Sequence, residues 1–284
     1  MANKRKLVTS SLTALLMAAA SSVLIGMNRS KSRISGEIDD LLAGNVATNR
    51  AVVTEADLAA LPEPVQRWLR WSGVIGKPIP STVRTHQIGE FRLKEGQSWM
   101  PFIAEQWYTT DPPGFLWSVS MKMNPLVRVI GRDRYVHASG EIDMRIAGLI
   151  PVARKRGGNL NQGALLRYLN EIMWFPAAAL RPYITWTAID LSSAKATMID
   201  GGITVEAIFS FDQQGRITTM TALRENDAKG QRLPWSTPLT AYGEFGDIRI
   251  PTEGAGVWQY EMGEFPYIRL RITGIEYDVS TQAR

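Results

Sequence analysis

The feature that most constrains this chain is an alternation of apolar and polar residues with period two, recurring from about Val83 towards the C-terminus. Phe115, Trp117, Val119, Met121 and Met123 alternate with Leu116, Ser118, Ser120 and Lys122. Ile142, Met144, Ile146 and Ile150 alternate with Asp143 and Arg145. Ile203, Val205, Ala207, Phe209 and Phe211 alternate with Thr204, Glu206 and Ser210, and Ile268, Leu270 and Ile272 with Arg269, Arg271 and Thr273. Successive side chains of a strand point to opposite faces, so this pattern specifies antiparallel strands with one buried face. Turn sequences separate them: Asp111-Pro112-Pro113-Gly114, Asp200-Gly201-Gly202 and Asp212-Gln213-Gln214-Gly215.

Helical spacing appears in only a few places. Thr54 with Asp57 reads as a capping box opening a short helix, Glu55–Ala60. Pro62 suits the first position of a second helix, Pro62–Trp71, whose Leu58, Leu61, Val65, Trp68 and Leu69 neighbourhood forms one apolar face and which Gly73 ends. A third helix carries Leu165, Leu166, Leu169, Ile172 and Met173 behind Asn159 or Asn161 and stops at Trp174-Phe175-Pro176. Ala177–Leu180 then makes a short apolar turn. The expected fold is mainly β (α+β): a strongly curved antiparallel sheet or half-barrel with covering helices. It forms a single domain over residues 54–284, with residues 29–53 as a polar linker carrying one or two helical turns around Ile38–Leu42.

The N-terminus is a separate matter. Lys4-Arg5-Lys6 precedes Leu7–Met27, a run of 21 residues without charge that Asn28 and Arg29 close. At 1.5 Å per residue it just crosses a hydrocarbon core of about 30 Å, as an uncleaved membrane helix would. A signal peptide would instead use Leu7–Met17, with cleavage near Ala20. Both readings export the body, and residues 1–28 are expected to be anchor or signal. The resumption of apolar residues at Val23, Leu24 and Ile25 favours the anchor.

Composition narrows the function. The chain has no cysteine, so disulfides, thiolate sites and lipid attachment to cysteine are excluded. Its net charge is +5, but residues 1–50 hold seven basic and three acidic side chains, so the folded body is close to neutral and no nucleic acid is expected as a partner. Neither a nucleophile elbow nor a phosphate-binding glycine loop is present, and no cofactor is expected.

His137, Glu141 and Asp143 share a face if they lie on a strand, which would suit a metal, but a polar outer face or a loop near Gly140 is the favoured reading and no metal is expected. Glu105, Asp133 and Glu171 are the weak catalytic candidates, as paired carboxylates of a hydrolase. Arg167 sits four residues before Glu171, where a helix would pair them as ions; buried Glu105, Asp133 and Arg224 are expected to bond one another. Arg154-Lys155-Arg156 before two glycines reads as a basic turn.

Several strings carry a resemblance: Leu61-Pro-Glu-Pro-Val-Gln-Arg-Trp-Leu-Arg70, Pro101-Phe-Ile-Ala-Glu-Gln-Trp-Tyr108, Gly131-Arg-Asp-Arg-Tyr135, Arg167-Tyr-Leu-Asn-Glu-Ile-Met-Trp-Phe-Pro176 and Ala222-Leu-Arg224. Together they resemble a bacterial family built on a domain of unknown function, whose members often carry an N-terminal membrane segment. That family resembles in turn the half-barrel superfamily of periplasmic lipoprotein carriers. The resemblance implies a curved sheet around an apolar cavity closed by helices, and no reaction.

Methionine is flexible and polarizable and suits surfaces that accept varied apolar ligands. Phe115, Trp117, Val119, Met121, Met123 and Met144, with Leu169 and Met173 of the covering helix, are therefore the candidate binding residues for a lipid or other hydrophobic small molecule. A plain hydrophobic core explains the same residues without a ligand, and a module that binds another protein of the cell envelope is the remaining alternative.

Overall fold

The structure is a computed structural model; it describes residues 2–43, 51–125, 127–226 and 229–280, with the side chains of 2–16 and 18–20 left out of the description. Two antiparallel meanders dominate. The first runs β1 (Thr82–Phe91), β2 (Met100–Thr110), β3 (Pro113–Lys122), β4 (Arg128–Val136), β5 (Ser139–Ile146) and β6 (Ile150–Arg156). The second runs β7 (Ile184–Asp190), β8 (Ser193–Asp200), β9 (Ile203–Phe211), β10 (Ile217–Asn226), β11 (Gln231–Phe245), β12 (Ile248–Tyr260) and β13 (Gly263–Tyr277). Pairing of β1 with β13, Phe91 opposite Ile268 and Val83 opposite Tyr277, joins them into one 13-stranded sheet with edges β6 and β7. The sheet is mainly β and curls into a half-barrel, as the alternation implies.

Four α-helices complete the described fold: α1 (Ala2–Leu42), α2 (Glu55–Leu58), α3 (Glu63–Ser72) and α4 (Asn159–Glu171). Asp57 accepts the Thr54 backbone N–H at 2.8 Å, as the capping pattern predicts. Pro62 caps α3, and Gly73 follows it at φ 79°, a left-handed value glycine adopts without strain. Short 3-10 turns, Ile172–Trp174 and Pro176–Leu180, extend α4 to either side of Phe175. α4 packs inside the curl against β5, β9 and β10 and so bridges the two meanders.

The structure differs from the sequence reading in three places. Residues 142–150 are not one strand: the chain turns at Ala147 and Gly148, both at positive φ, and returns as β6. Arg154, Lys155 and Arg156 are not a turn but the end of β6, an edge strand on which charge discourages pairing with another chain. The segment expected as a linker with one or two helical turns around Ile38–Leu42 is instead continuous helix as far as Leu42. There Ile34, Ile38, Leu41 and Leu42 bury themselves against Trp107 and Leu116 on the outer face of the sheet.

α1 is also tied to that outer face by charge. Arg132, only 2% exposed along its side chain, bonds Glu37 and lies 2.7 Å from Glu141, which also takes Arg134 at 2.7 Å. Asp143 takes Arg33 at 3.0 Å and Arg145 at 2.8 Å. Burial would raise both carboxyls, but their arginines hold them below the ordinary range. Where α1 crosses the β5–β6 turn, a Cβ on Gly148 would stand 2.7 Å from the Gly26 carbonyl, so backbone meets backbone there.

Candidate functional site

Between the two meanders lies a cavity of about 700 Å³. The first meander supplies Trp117, Met121 and Met144 to its wall, and the second supplies Trp235, Leu239 and Ile268. α4 and the turn after it close its inner side with Arg167, Asn170, Glu171 and Met173. The strand pairings fix which rim it opens on. In a meander, alternate turns share a rim, and the β1–β13 register places the β12–β13 turn beside the β1–β2 turn. Leu93 of the β1–β2 turn and Met123 of the β3–β4 turn both line the cavity and are 71% and 47% exposed. The mouth is therefore at this rim, and the opposite rim is filled by Tyr108, Tyr168 and Phe175, whose rings lie within 6.4 Å of one another.

A polar network forms the inner end. Arg167 donates to Asp133 Oδ2 at 2.7 Å, to Glu171 Oε1 at 2.8 Å and to Gln106 Oε1 at 3.0 Å. Its guanidinium lies 5.0 Å and 4.9 Å from the Phe115 and Trp117 rings. Glu171 also accepts from Gln106 at 2.7 Å and Tyr108 at 3.1 Å. Trp117 Nε1 donates to Gln87 at 3.0 Å, which extends the chain of bonds across β1. Burial pushes both carboxyls up despite Arg167. Burial opposes the charge on Arg167 too, but Glu171 and Asp133 outweigh it and hold the guanidinium firmly charged. Arg167 thus binds both carboxylates, as the four-residue spacing predicts for its pairing with Glu171.

The candidate residues separate on this geometry. Trp117, Met121, Met123, Met144 and Met173 face the cavity. Phe115, Val119 and Leu169 do not; they are wholly or almost wholly buried in the packed core. Asp133 and Glu171 meet at the inner end. Glu105 does not join them: β2 alternates, and Glu105 points to the outer face, where Arg84 holds it at 2.7 Å and His86 lies 3.9 Å away. The bonding expected of Glu105, Asp133 and Arg224 if buried therefore does not arise, because Glu105 is half-exposed on the outer face. His137 sits in the β4–β5 turn at φ 50°, and Glu141 and Asp143 are engaged by arginines, so the three do not form a cluster.

Sequence reasoning did not find the second wall. Arg224 lies 4.7 Å from the Trp235 ring and 5.9 Å from Trp258, and bonds the Tyr267 hydroxyl at 3.2 Å. Among the described residues it has no carboxylate oxygen within 4.0 Å. Among the described residues, Asp133 Oδ1, Asn170 Oδ1, Trp235 Nε1 and Thr237 Oγ1 are buried on the cavity lining without a hydrogen-bond partner. The lining thus combines apolar walls with a few polar groups, the composition of a ligand pocket.

The chain is similar in fold to several solved structures. One is a LolA superfamily protein from Nitrosomonas europaea: 10% identity, 77% of this chain and 96% of that one covered, TM-score 0.45. A DUF1329 family protein from Desulfovibrio piger is 9% identical, with 76% and 92% covered and a TM-score of 0.43. The lipoprotein LppX of Mycobacterium tuberculosis is 10% identical, with 79% and 96% covered and a TM-score of 0.28. No curated protein matches the chain. A family model described as a family of unknown function (DUF6544) matches residues 51–270, and the chain belongs to that family.

Proposed function

We propose that the protein binds an amphiphile, a lipid or a similar hydrophobic molecule, in the cavity of its half-barrel, without catalysing a reaction on it. The observation that carries this reading is the cavity itself: about 700 Å³, walled by methionine, tryptophan and aliphatic side chains, open at one rim. Of the carboxylates the hydrolase alternative would use, Glu105 is on the other face, and Asp133 and Glu171, together at the inner end, are both bonded to Arg167, which favours binding over hydrolysis. Arg224, a cation on the cavity wall, suits an anionic head group.

The same reading places the body outside the cytoplasm, anchored by residues 1–28. The uncharged run Leu7–Met27 supports it. Among the described residues no helix is long and apolar enough to cross a membrane; the side chains of most of the Leu7–Met27 run lie outside the description.

The test uses a fluorescent fatty acid and the variant Met121→Trp. Met121 is 8% exposed and borders the cavity, so the larger ring enters space a ligand needs. Binding by the wild type that is lost in a variant of unchanged melting temperature supports the proposal. Absence of binding by the wild type, with the variant destabilised by about 1–3 kcal/mol as an overpacked core would be, overturns it.

A further inference from the structure

The apolar tips at the cavity mouth form a surface of their own. Met262 in the β12–β13 turn is 97% exposed, Leu93 71%, Met123 47%, and Leu149 and Ile150 at the β5–β6 turn 41% and 62%. These come from four separate hairpins, all on the mouth rim. The turns of the same strands at the opposite rim carry Asp111-Pro112, His137-Ala138 and Gly246-Asp247, with no large apolar side chain. Singly exposed apolar residues are ordinary; one on each of four neighbouring tips around one opening is a pattern.

α1 supplies the second, independent observation. It lies along the outer face from Leu41, beside Gly114 at the start of β3, to Gly26, which meets the β5–β6 turn. Continuing towards the N-terminus, the same unbroken helix leaves the body at the mouth rim. Leu24 and Ile25, the next turn, are 62% and 51% exposed. The uncharged run ends at Met27, so its boundary coincides with the level of the rim.

We infer that the mouth rim is a membrane-docking surface: the tips Leu93, Met123, Leu149, Ile150 and Met262 enter the interface of the bilayer that holds the N-terminal segment, and the cavity opens directly onto lipid. This rests on the anchor reading. Ser30, bonded to the Gly148 carbonyl at 3.2 Å, and the Arg33–Asp143 and Glu37–Arg132 pairs lock the helix to the sheet, so the anchor fixes the direction in which the mouth faces. A ligand would then pass between bilayer and cavity without crossing water. This distinguishes the protein from a diffusing carrier, whose mouth must close or be shielded in transit.

The absence of cysteine makes the test clean. Leu93→Cys, Ile150→Cys and Met262→Cys, with Leu191→Cys beside α3 as control, are each labelled with an environment-sensitive fluorophore. Leu191 is 80% exposed, and its carbonyl accepts from Arg67. Full-length protein is reconstituted into vesicles of phosphatidylethanolamine and phosphatidylglycerol containing a nitroxide-labelled lipid. Blue-shifted, quenched emission at the three rim positions, with the Leu191 label unaffected, supports the proposal. Rim labels that behave like the Leu191 label in membrane-bound protein overturn the docking surface and leave the anchor standing. Protein that fails to enter the vesicles at all overturns both. Fatty-acid binding measured in detergent is independent of either result and tests the cavity alone.

Discussion

Replacing Arg167 with methionine probes the inner end of the cavity most directly. The substitution keeps an unbranched side chain of similar reach between Phe115 and Trp117 and removes the charge. Asp133 and Glu171, 14% and 6% exposed along their side chains, then lose the partner that each holds at under 3 Å. Removing one partner of a buried ion pair costs about 3–5 kcal/mol, because the remaining charge is stranded. For a body of this size that corresponds to a fall in melting temperature of about 6–20 °C.

The loss should also depend on pH with a definite sign. Both carboxyls are already raised above their ordinary values of 3.8 and 4.5 by burial. The stability such groups contribute is fully present below those ordinary values and is lost as pH rises through the raised ones. Without Arg167 the upward shifts grow, so the gap between wild type and Arg167→Met should be widest near neutrality and narrow towards pH 4. Acid also weakens Glu141 and Asp143 against their arginines, whose depressed values act in the opposite direction, but equally in both proteins. Paired thermal melts at pH 7 and pH 4 measure the gap. A gap of the same size at both, or none at pH 7, refutes the claim that stranded carboxylates carry the cost.

Two further outcomes are expected. Arg224→Leu should weaken a fatty acid about ten- to hundredfold while leaving its methyl ester unchanged, since a charged hydrogen bond contributes about 1.5–3 kcal/mol; parallel fluorescence titrations compare the two ligands. Ile38→Asp places a charge where Ile38 is 3% exposed against Trp107 and Leu116, and should free the C-terminal part of α1 from the sheet at a cost of several kcal/mol. Faster proteolysis between residues 30 and 43, with the remaining body intact, is the readout.

The alternation made the sheet legible, and it identified which face of β3 points inward. It could not give depth along that face. Phe115 and Met121 share it, yet Phe115 lies at the rim that Tyr108 and Phe175 fill and Met121 at the rim left open. Val119 stays in the packed layer between two larger neighbours. The second wall was invisible for a different reason. Trp235, Leu239 and Ile268 reach the cavity only because β13 pairs with β1 across nearly 200 residues, and no local pattern encodes that pairing. The same limit explains Glu105, whose sequence neighbourhood matches that of a buried carboxylate although its parity on β2 directs it outward. The β5–β6 turn escaped notice because Ala147 takes a positive φ without a glycine to announce it at that position. The docking of α1 escaped because its apolar residues, Ile34, Ile38, Leu41 and Leu42, sit among charges that look solvated until Arg132 and Asp143 are found opposite them.

The size of the cavity limits what it can be. Protein interiors hold few voids larger than a water molecule. Unfilled apolar volume costs about 24 cal/mol per Å³, so about 700 Å³ sealed and empty would cost roughly 17 kcal/mol, more than the whole net stability of a typical domain. A packing fault of that size would not survive. The volume must be wetted through the mouth or filled by a ligand, and methionine-lined walls offer water few partners. Filling the cavity therefore stabilises the fold, by RT ln(1 + [L]/Kd), which is about 2.7 kcal/mol at a hundredfold excess of ligand over Kd. Protein stripped of bound lipid should melt about 5–11 °C lower than protein resupplied with it, and the shift should vanish in Met121→Trp, where the ring obstructs the space a ligand needs. Equal melting of stripped and resupplied wild type would mean that the cavity is simply wet, and the argument from its size to a ligand would fail.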